Sequence, residues 1–399
     1  MTDHAPSRPV IRLRPKVKSR VRFGFPWIYA DELVLDRRSR SHAPGTIVTL
    51  EDAERRPLGT ATINPNSKIV ARLLDGDPTA SIDLDWIAAR LTRAEALRTH
   101  LFDAPCYRLV HAEADGMPGV VIDRFDDIAV VQPNAAWADV LFPLIEEALI
   151  ARFGARAVIK NASGRARALE GLNDVSAVTV GSVEGPVPVP MNGATYMADL
   201  LEGQKTGLFF DQRPNHALAA QLARGGSVLD VFSHVGGFAL AALAAGATEA
   251  LSVDGSAAAL ALAEEGARRG GIADRFSTRK GDAFAVMQAL TEQGATFGTV
   301  ICDPPAFAPQ KPALDAGLRA YERVARLGAG LVAPGGYLVL CSCSHAADLP
   351  RFREASLRGV SKAGRSAQLI ATGGAGPDHP VHPALTESAY LKALFLRLI

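Results

Sequence analysis

From about residue 190 to the last residue, short runs of β-branched and apolar residues alternate with alanine-rich stretches of helical length. The runs are SVLDVF (227–232), ALSVD (250–254), FSTRKGD (276–282), TVICD (299–303) and YLVLCS (337–342). Strands this apolar on both faces need cover above and below. Intervening helices supply it, so the pattern predicts an α/β fold, an open parallel sheet with helices on both faces. Such sheets bind ligands outside the carboxyl ends of their strands. The residues that close each run are therefore the ones to read for chemistry.

The first run leads into Asp230-Val231-Phe232-Ser233-His234-Val235-Gly236-Gly237-Phe238. Glycines there let a nucleoside approach the backbone, and a following helix start favours a carboxylate. Asp230, Phe232, Ser233, Gly236, Gly237 and Phe238 are the candidate contacts on this turn. The second run ends in Asp254, 24 residues after Asp230, followed by Gly255 and Ser256. An acid at that interval can accept both hydroxyls of a ribose. The third ends near Asp282 and Ala283, where an adenine edge could be held, and the fourth ends in Asp303-Pro304-Pro305. Each acid alone could equally be a helix cap or a surface carboxylate. A nicotinamide-binding enzyme is the competing reading, but the glycines do not fit G-x-G-x-x-G, and such an enzyme has no use for D-P-P on the fourth strand.

Paired prolines hold an extended turn rigid, which suits the edge of a flat base. The fifth run leads into Cys341-Ser342-Cys343-Ser344-His345. A thiolate at a strand end beside the nucleoside pocket is a candidate nucleophile, although a free cysteine is more often a buried core thiol. Only four cysteines occur, with no paired C-x-x-C, so neither a disulfide framework nor a zinc site is expected. That usage fits a reducing cytoplasm. No apolar run reaches the ~18 residues of a membrane span, and MTDHAPSRPV lacks the apolar core of a secretory signal and reads as a disordered tail.

The net charge of +1 is indifferent, yet residues 1–40 hold ten Lys or Arg against four Asp or Glu. Within them Arg12, Arg14, Lys16, Lys18, Arg20 and Arg22 occupy every even position. At the period of two that a strand imposes, this puts six cations on one face, able to meet an RNA backbone or merely water. Pro15 marks an edge strand or a break between two short ones. Residues 10–75 otherwise read as a small β-rich domain. A helix is expected over 82–100, then strands over 107–112, 120–123, 128–132 and 157–160 with a helix over 138–153. The Pro-rich stretch 184–193 marks a boundary.

Together these residues resemble the cytosine-5 methyltransferases of large-subunit (23S) ribosomal RNA that carry an amino-terminal PUA domain. The marks are Arg22-Phe23-Gly24-Phe25-Pro26-Trp27-Ile28-Tyr29, His111-Ala112-Glu113-Ala114-Asp115-Gly116-Met117-Pro118-Gly119, Lys205-Thr206-Gly207-Leu208-Phe209-Phe210-Asp211-Gln212-Arg213, the glycine turn, Asp303-Pro304-Pro305 and Ser342-Cys343-Ser344. The resemblance implies a PUA-like RNA-binding domain over 1–75, a central α+β domain over 76–185 and a Rossmann-like class I methyltransferase domain over 190–399. It implies S-adenosylmethionine as methyl donor, ribosomal RNA as partner, no membrane, and Asp211 and Arg213 at the donor pocket. A homodimer is kept as a candidate assembly. Cys343 takes the nucleophile position, and Asp303 holds the base edge. Many RNA cytosine-5 enzymes have a second cysteine where this chain has Pro305-Ala306, which implies a one-cysteine cycle. Methylation of a guanine nitrogen, or a non-catalytic RNA-binding assembly role, are the alternatives.

Overall fold

The computed structural model describes residues 8–15, 17, 20–21, 23–203 and 207–399. Lys16, Lys18, Arg22, Lys205 and Thr206 lie outside the described residues. The chain forms two compact units. One comprises Met1–Glu184 with Asp378–Ser388, the other Gly185–Pro377 with Ala389–Ile399.

The first unit contains two five-stranded sheets. One is built in the order Val10–Arg12, Thr46–Glu51, Pro57–Ile63, Ile69–Asp75, Trp27–Tyr29, and the other runs Ala177–Val180, Ala157–Lys160, Ile128–Pro133, Val120–Phe125, Cys106–His111. The helix Leu84–Leu101 buries Ile87, Leu91 and Ala94 in the same core as Leu109 and Ile122 of the second sheet. Where the sequence predicts one helix over 138–153, the structure has two, Ala136–Val140 and Phe142–Phe153. Pro143 opens the second, where its missing N–H costs nothing. The segment Asp378–Ser388 docks here through buried polar groups. Arg98 is wholly buried, grips Asp115 with two hydrogen bonds (2.6 and 2.8 Å), and donates a third (2.8 Å) to the Asp378 carbonyl.

The even-numbered basic row is not one strand. Strand geometry ends at Arg12, Leu13 makes an isolated bridge to Leu33, and Arg20–Val21 are helical. Pro15 provides the break. Nor do the described cations share a free face. Arg12 pairs with Glu51 at 3.0 Å, Arg14 donates to the Leu33 carbonyl at 2.9 Å, and Arg20 pairs with Glu32 at 2.8 Å while lying over the Phe25 ring.

The two units divide at Glu184–Gly185, where the Pro-rich stretch begins, and within that stretch Val187–Met191 is a strand paired with Ala194–Ala198. Two strands leave each an outer edge, which tolerates Pro188 and Pro190. Beyond it lies a seven-stranded sheet with strands β1 (Ser227–Val231), β2 (Glu249–Asp254), β3 (Phe276–Lys280), β4 (Phe297–Cys302), β5 (Val332–Ser342), β6 (Ala367–Gly373) and β7 (Lys392–Leu398). Their spatial order is β3-β2-β1-β4-β5-β7-β6, with β1 to β5 parallel and β7 antiparallel to both neighbours. Helices α1 (Arg213–Leu222), α2 (Gly237–Ala244), α3 (Ala257–Arg269), α4 (Ala283–Glu292), α5 (Leu314–Gly330) and α6 (Leu349–Lys362) accompany it. Leu229, Val231, Val253, Val300 and Leu338 are fully buried between the layers. The strand order reverses between β1 and β4, and a crevice at their carboxyl ends follows from that topology. Among the described residues, no helix is long and apolar enough to cross a membrane.

Candidate active site

A cavity of about 620 Å³ opens at these strand ends. Its β1–β2 side is mainly backbone. After β1 the chain turns so tightly that Phe232 (φ 64°) and His234 (φ 50°) take left-handed conformations, which cost non-glycine residues about 1–3 kcal/mol each. The turn is held by Phe232 N and Ser233 N, both donating to the Val253 carbonyl (2.9 and 3.1 Å). Gly237 has no room for a side chain, since a Cβ would sit 2.8 Å from the His216 ring. Asp254 accepts from His234 N at 2.9 Å through one oxygen and from Ser256 N at 2.8 Å through the other. Backbone donors thus fix the carboxylate while each oxygen keeps a lone pair for a ligand. The buried Ser233 hydroxyl borders the cavity with no hydrogen-bond partner among the described residues.

The β4–β5 side is built from side chains. Asp303 follows β4 and accepts from Gln212 Nε2 at 2.8 Å, and Gln212 Oε1 accepts from Asn215 at 2.6 Å. Asp211 accepts from the Tyr390 hydroxyl at 2.5 Å. Cys343 follows β5 and borders the cavity, half-buried. Its two flanking serines are fully buried and hydrogen-bond the Tyr321 hydroxyl of α5, Ser342 at 2.9 Å and Ser344 at 2.7 Å. Ser344 also accepts from Ala308 N at 2.9 Å, tying the S-C-S loop to the loop after Pro305. Beneath it Lys392 of β7, in register with Ser342, donates to the carbonyls of Ser344 (2.6 Å) and Ala347 (2.8 Å). Burial lowers the pKa of that lysine, with Cys343 and Asp348 opposing the shift. Cys341 and Cys302 are buried in strands, where desolvation raises both thiols well above their ordinary value. Cys106 is buried in the other unit.

Of the residues singled out from the sequence, Asp211, Phe232, Ser233, Gly237, Phe238, Asp254, Gly255, Ser256, Asp303 and Cys343 border this one cavity. Five others do not. Asp230 lies behind the turn, wholly buried, and accepts from Ala239 N at 3.0 Å in the first turn of α2; burial pushes its carboxyl up to about 7. Gly236 (φ 78°) supplies the left-handed residue before α2. Asp282 caps α4 by accepting from Ala285 N at 2.9 Å, and Ala283 packs in the core. Arg213 opens α1 with its guanidinium over the Phe210 ring. Among the cavity residues that were not candidates from the sequence are Gln212 and His216. Gln212 stood inside a quoted motif, whereas nothing local marks His216, which packs on Tyr196 and Phe238 and is kept neutral by burial, its pKa lowered to about 3.

Fold and site define a class I, Rossmann-like methyltransferase. The cavity has the size of a small-molecule pocket (~300–1,000 Å³), and its anchored acid, unpartnered hydroxyl and glycine turn fit the ribose and amino-acid ends of S-adenosylmethionine. A PUA-like domain model matches residues 11–75, and an S-adenosylmethionine-dependent methyltransferase model matches residues 151–397. The chain is 32% identical to ribosomal RNA large subunit methyltransferase I of Shewanella denitrificans, covering 97% of this chain and 99% of the relative. It is 34% identical to a ribosomal RNA large subunit methyltransferase of Deinococcus radiodurans, covering 100% of both. In structure it is similar to an S-adenosylmethionine-dependent methyltransferase of Streptococcus mutans (TM-score 0.80, 19% identity, 98% of this chain and 100% of the other). A second match is a methyltransferase solved with S-adenosylhomocysteine (TM-score 0.80, 20% identity, 98% and 99%). At those identities the structural likeness is one of fold. The chain belongs to the S-adenosylmethionine-dependent methyltransferase family, in the branch with an amino-terminal PUA-like domain that includes the large-subunit ribosomal RNA enzymes.

Proposed function

We propose that this protein forms 5-methylcytosine in large-subunit (23S) ribosomal RNA, in the cytoplasm, through a covalent adduct with Cys343. One observation carries the reading: of four cysteines, Cys343 alone borders the cavity that also holds Asp254 and Asp303. S-adenosylmethionine supplies the electrophilic methyl group. Carbon 5 of cytosine is too weak a nucleophile to take it unaided. The Cys343 thiolate adds to carbon 6, the ring becomes an enamine, and carbon 5 turns nucleophilic. Asp303, oriented by Gln212, holds the base edge near ring nitrogen 3. After methylation the proton leaves carbon 5 and the thiolate is expelled. Asp254 orients the ribose of the donor, with Asp211, Phe232, Ser233, Phe238, Gly255 and Ser256 around it. The division of labour is a PUA-like RNA-binding domain over 1–75, a central domain over 76–185 and a catalytic domain over 190–399.

The test is covalent trapping. RNA carrying 5-fluorocytosine cannot lose fluorine as a proton, so it should accumulate a protein–RNA adduct that survives denaturing gels and requires S-adenosylmethionine. A methylated guanine in the product, with no adduct, would sink the cytosine reading. Donor binding without methylation of any RNA would point instead to an assembly factor.

A further inference from the structure

The outer face of α5 carries a row of cations without acidic partners. Arg319, Arg323 and Arg326, spaced four and three residues apart, share one exposed face of the helix. Among the described residues none of the three has an ion pair, and Arg323 lies over the Phe284 ring, 4.5 Å from its centroid. With Lys362 of α6 they line a hollow of about 390 Å³ that contains a single carboxylate, Glu322. That carboxylate is already engaged by Arg358 at 3.1 Å and by Lys362. By contrast, Arg268 and Arg269 on α3 both spend their charge on Glu265.

Ring contacts link Arg323 to the cavity wall. Phe284 packs against Phe232, which borders the cavity, and against Phe307, just past the D-P-P turn, each at 6.3 Å between centroids. The opposite face of α5 carries Tyr321, the hydroxyl that holds the serines on both sides of Cys343. One helix therefore braces the Cys343 loop with its inner face and presents unspent guanidinium groups with its outer one. From Arg319 to Arg326 it rises ~10.5 Å, about three nucleotides at ~3.4 Å per base of a stacked strand. Guanidinium forks match phosphate oxygens bidentately.

We propose that Arg319, Arg323 and Arg326 form the track that binds the backbone phosphates of the substrate RNA beside the nucleotide in the cavity. The inference rests on RNA being the substrate, though not on which base is methylated. The experiment measures affinity of the full-length protein for a large-subunit rRNA transcript across salt concentrations, with methylation of that transcript by the wild type established first. The variant R319Q/R323Q/R326Q should bind about tenfold or more weakly at moderate salt, with a log–log salt slope shallower by about 2, near 0.7 per lost single-strand phosphate contact. R268Q/R269Q, which removes two surface charges from paired sites, should leave the slope unchanged. Calorimetric affinity for S-adenosylmethionine reports that the triple variant is folded. An unchanged slope in the triple variant, or equal effects of both variants, overturns the proposal. So does loss of binding to an acidic polypeptide with RNA affinity unmoved, which would assign the face to a protein partner. A wild type that methylates no ribosomal RNA overturns the underlying reading as well, and is told apart by that first measurement.

Discussion

The β1–β2 side of the cavity, which the proposed function gives to the donor, is mainly backbone, and the β4–β5 side, which it gives to the acceptor base, is a mesh of side chains from distant parts of the chain. On the donor side, Asp254 is held by two amides, that of Ser256 two residues on and that of His234 in the turn after β1, 20 residues back. On the acceptor side, Asp303 is set by Gln212, and Cys343 is bracketed through Tyr321, Ala308 and Lys392. Local backbone geometry tolerates side-chain changes nearby. A buried polar mesh does not, because removing one member leaves its partners unsatisfied at about 1–3 kcal/mol each.

Variants that separate donor binding from methyl transfer test this contrast. The largest effect is expected of Cys343→Ser, which should lose methyl transfer by about 10³-fold or more while calorimetry finds donor affinity unaltered. Full activity in that variant would remove Cys343 from the chemistry. Asp254→Ala should do the reverse, weakening S-adenosylmethionine by about 1.5–3 kcal/mol, roughly ten- to a hundredfold, without changing RNA affinity. Tyr321→Phe touches neither ligand, yet it removes the hydroxyl that two buried serines share. We expect about a tenfold loss of methyl transfer, a melting temperature lower by a few degrees and normal donor affinity. If donor affinity falls with it, the two sides are not independent.

A smaller effect concerns Asp230, which braces the donor turn from behind. Its folded pKa, about 7, lies above the ordinary carboxylate value. The folded state therefore holds the extra proton, and this group's stabilisation is fully present below about pH 4 and is lost as pH rises towards 7. Asp230→Asn should remove that decline, so its melting temperature should gain on wild type as pH rises from 5 to 8. Parallel pH profiles would show that the carboxyl titrates normally. The least effect is expected of Arg12→Gln with Arg14→Gln. Arg12 is already paired and Arg14 already serves a carbonyl, so RNA affinity should change by less than about twofold, as for exposed ion pairs.

Much of the donor side was legible in sequence because its signals are local. Strand ends, glycines and acids follow one another, and parallel topology brings successive strand ends together. The same logic overreached at Asp282 and Asp230, where a carboxylate beside a helix start satisfies that helix instead of facing the cavity. It also read an alternating basic row as one face, which Pro15 interrupts.

By itself the sequence determined the α/β alternation, the order of ligand-facing strand ends and the one cysteine in the S-C-S match, since each depends on residues adjacent in the chain. Only the tertiary structure decided which charges remain available. The Arg12 and Arg20 side chains are met by Glu51 and Glu32, while those of Arg319, Arg323 and Arg326 are met by no acid among the described residues. It alone brought Gln212, His216, Tyr321 and Lys392 to the cavity or its walls. Pairing and burial depend on what packs opposite a residue, and for these that partner lies tens of residues away.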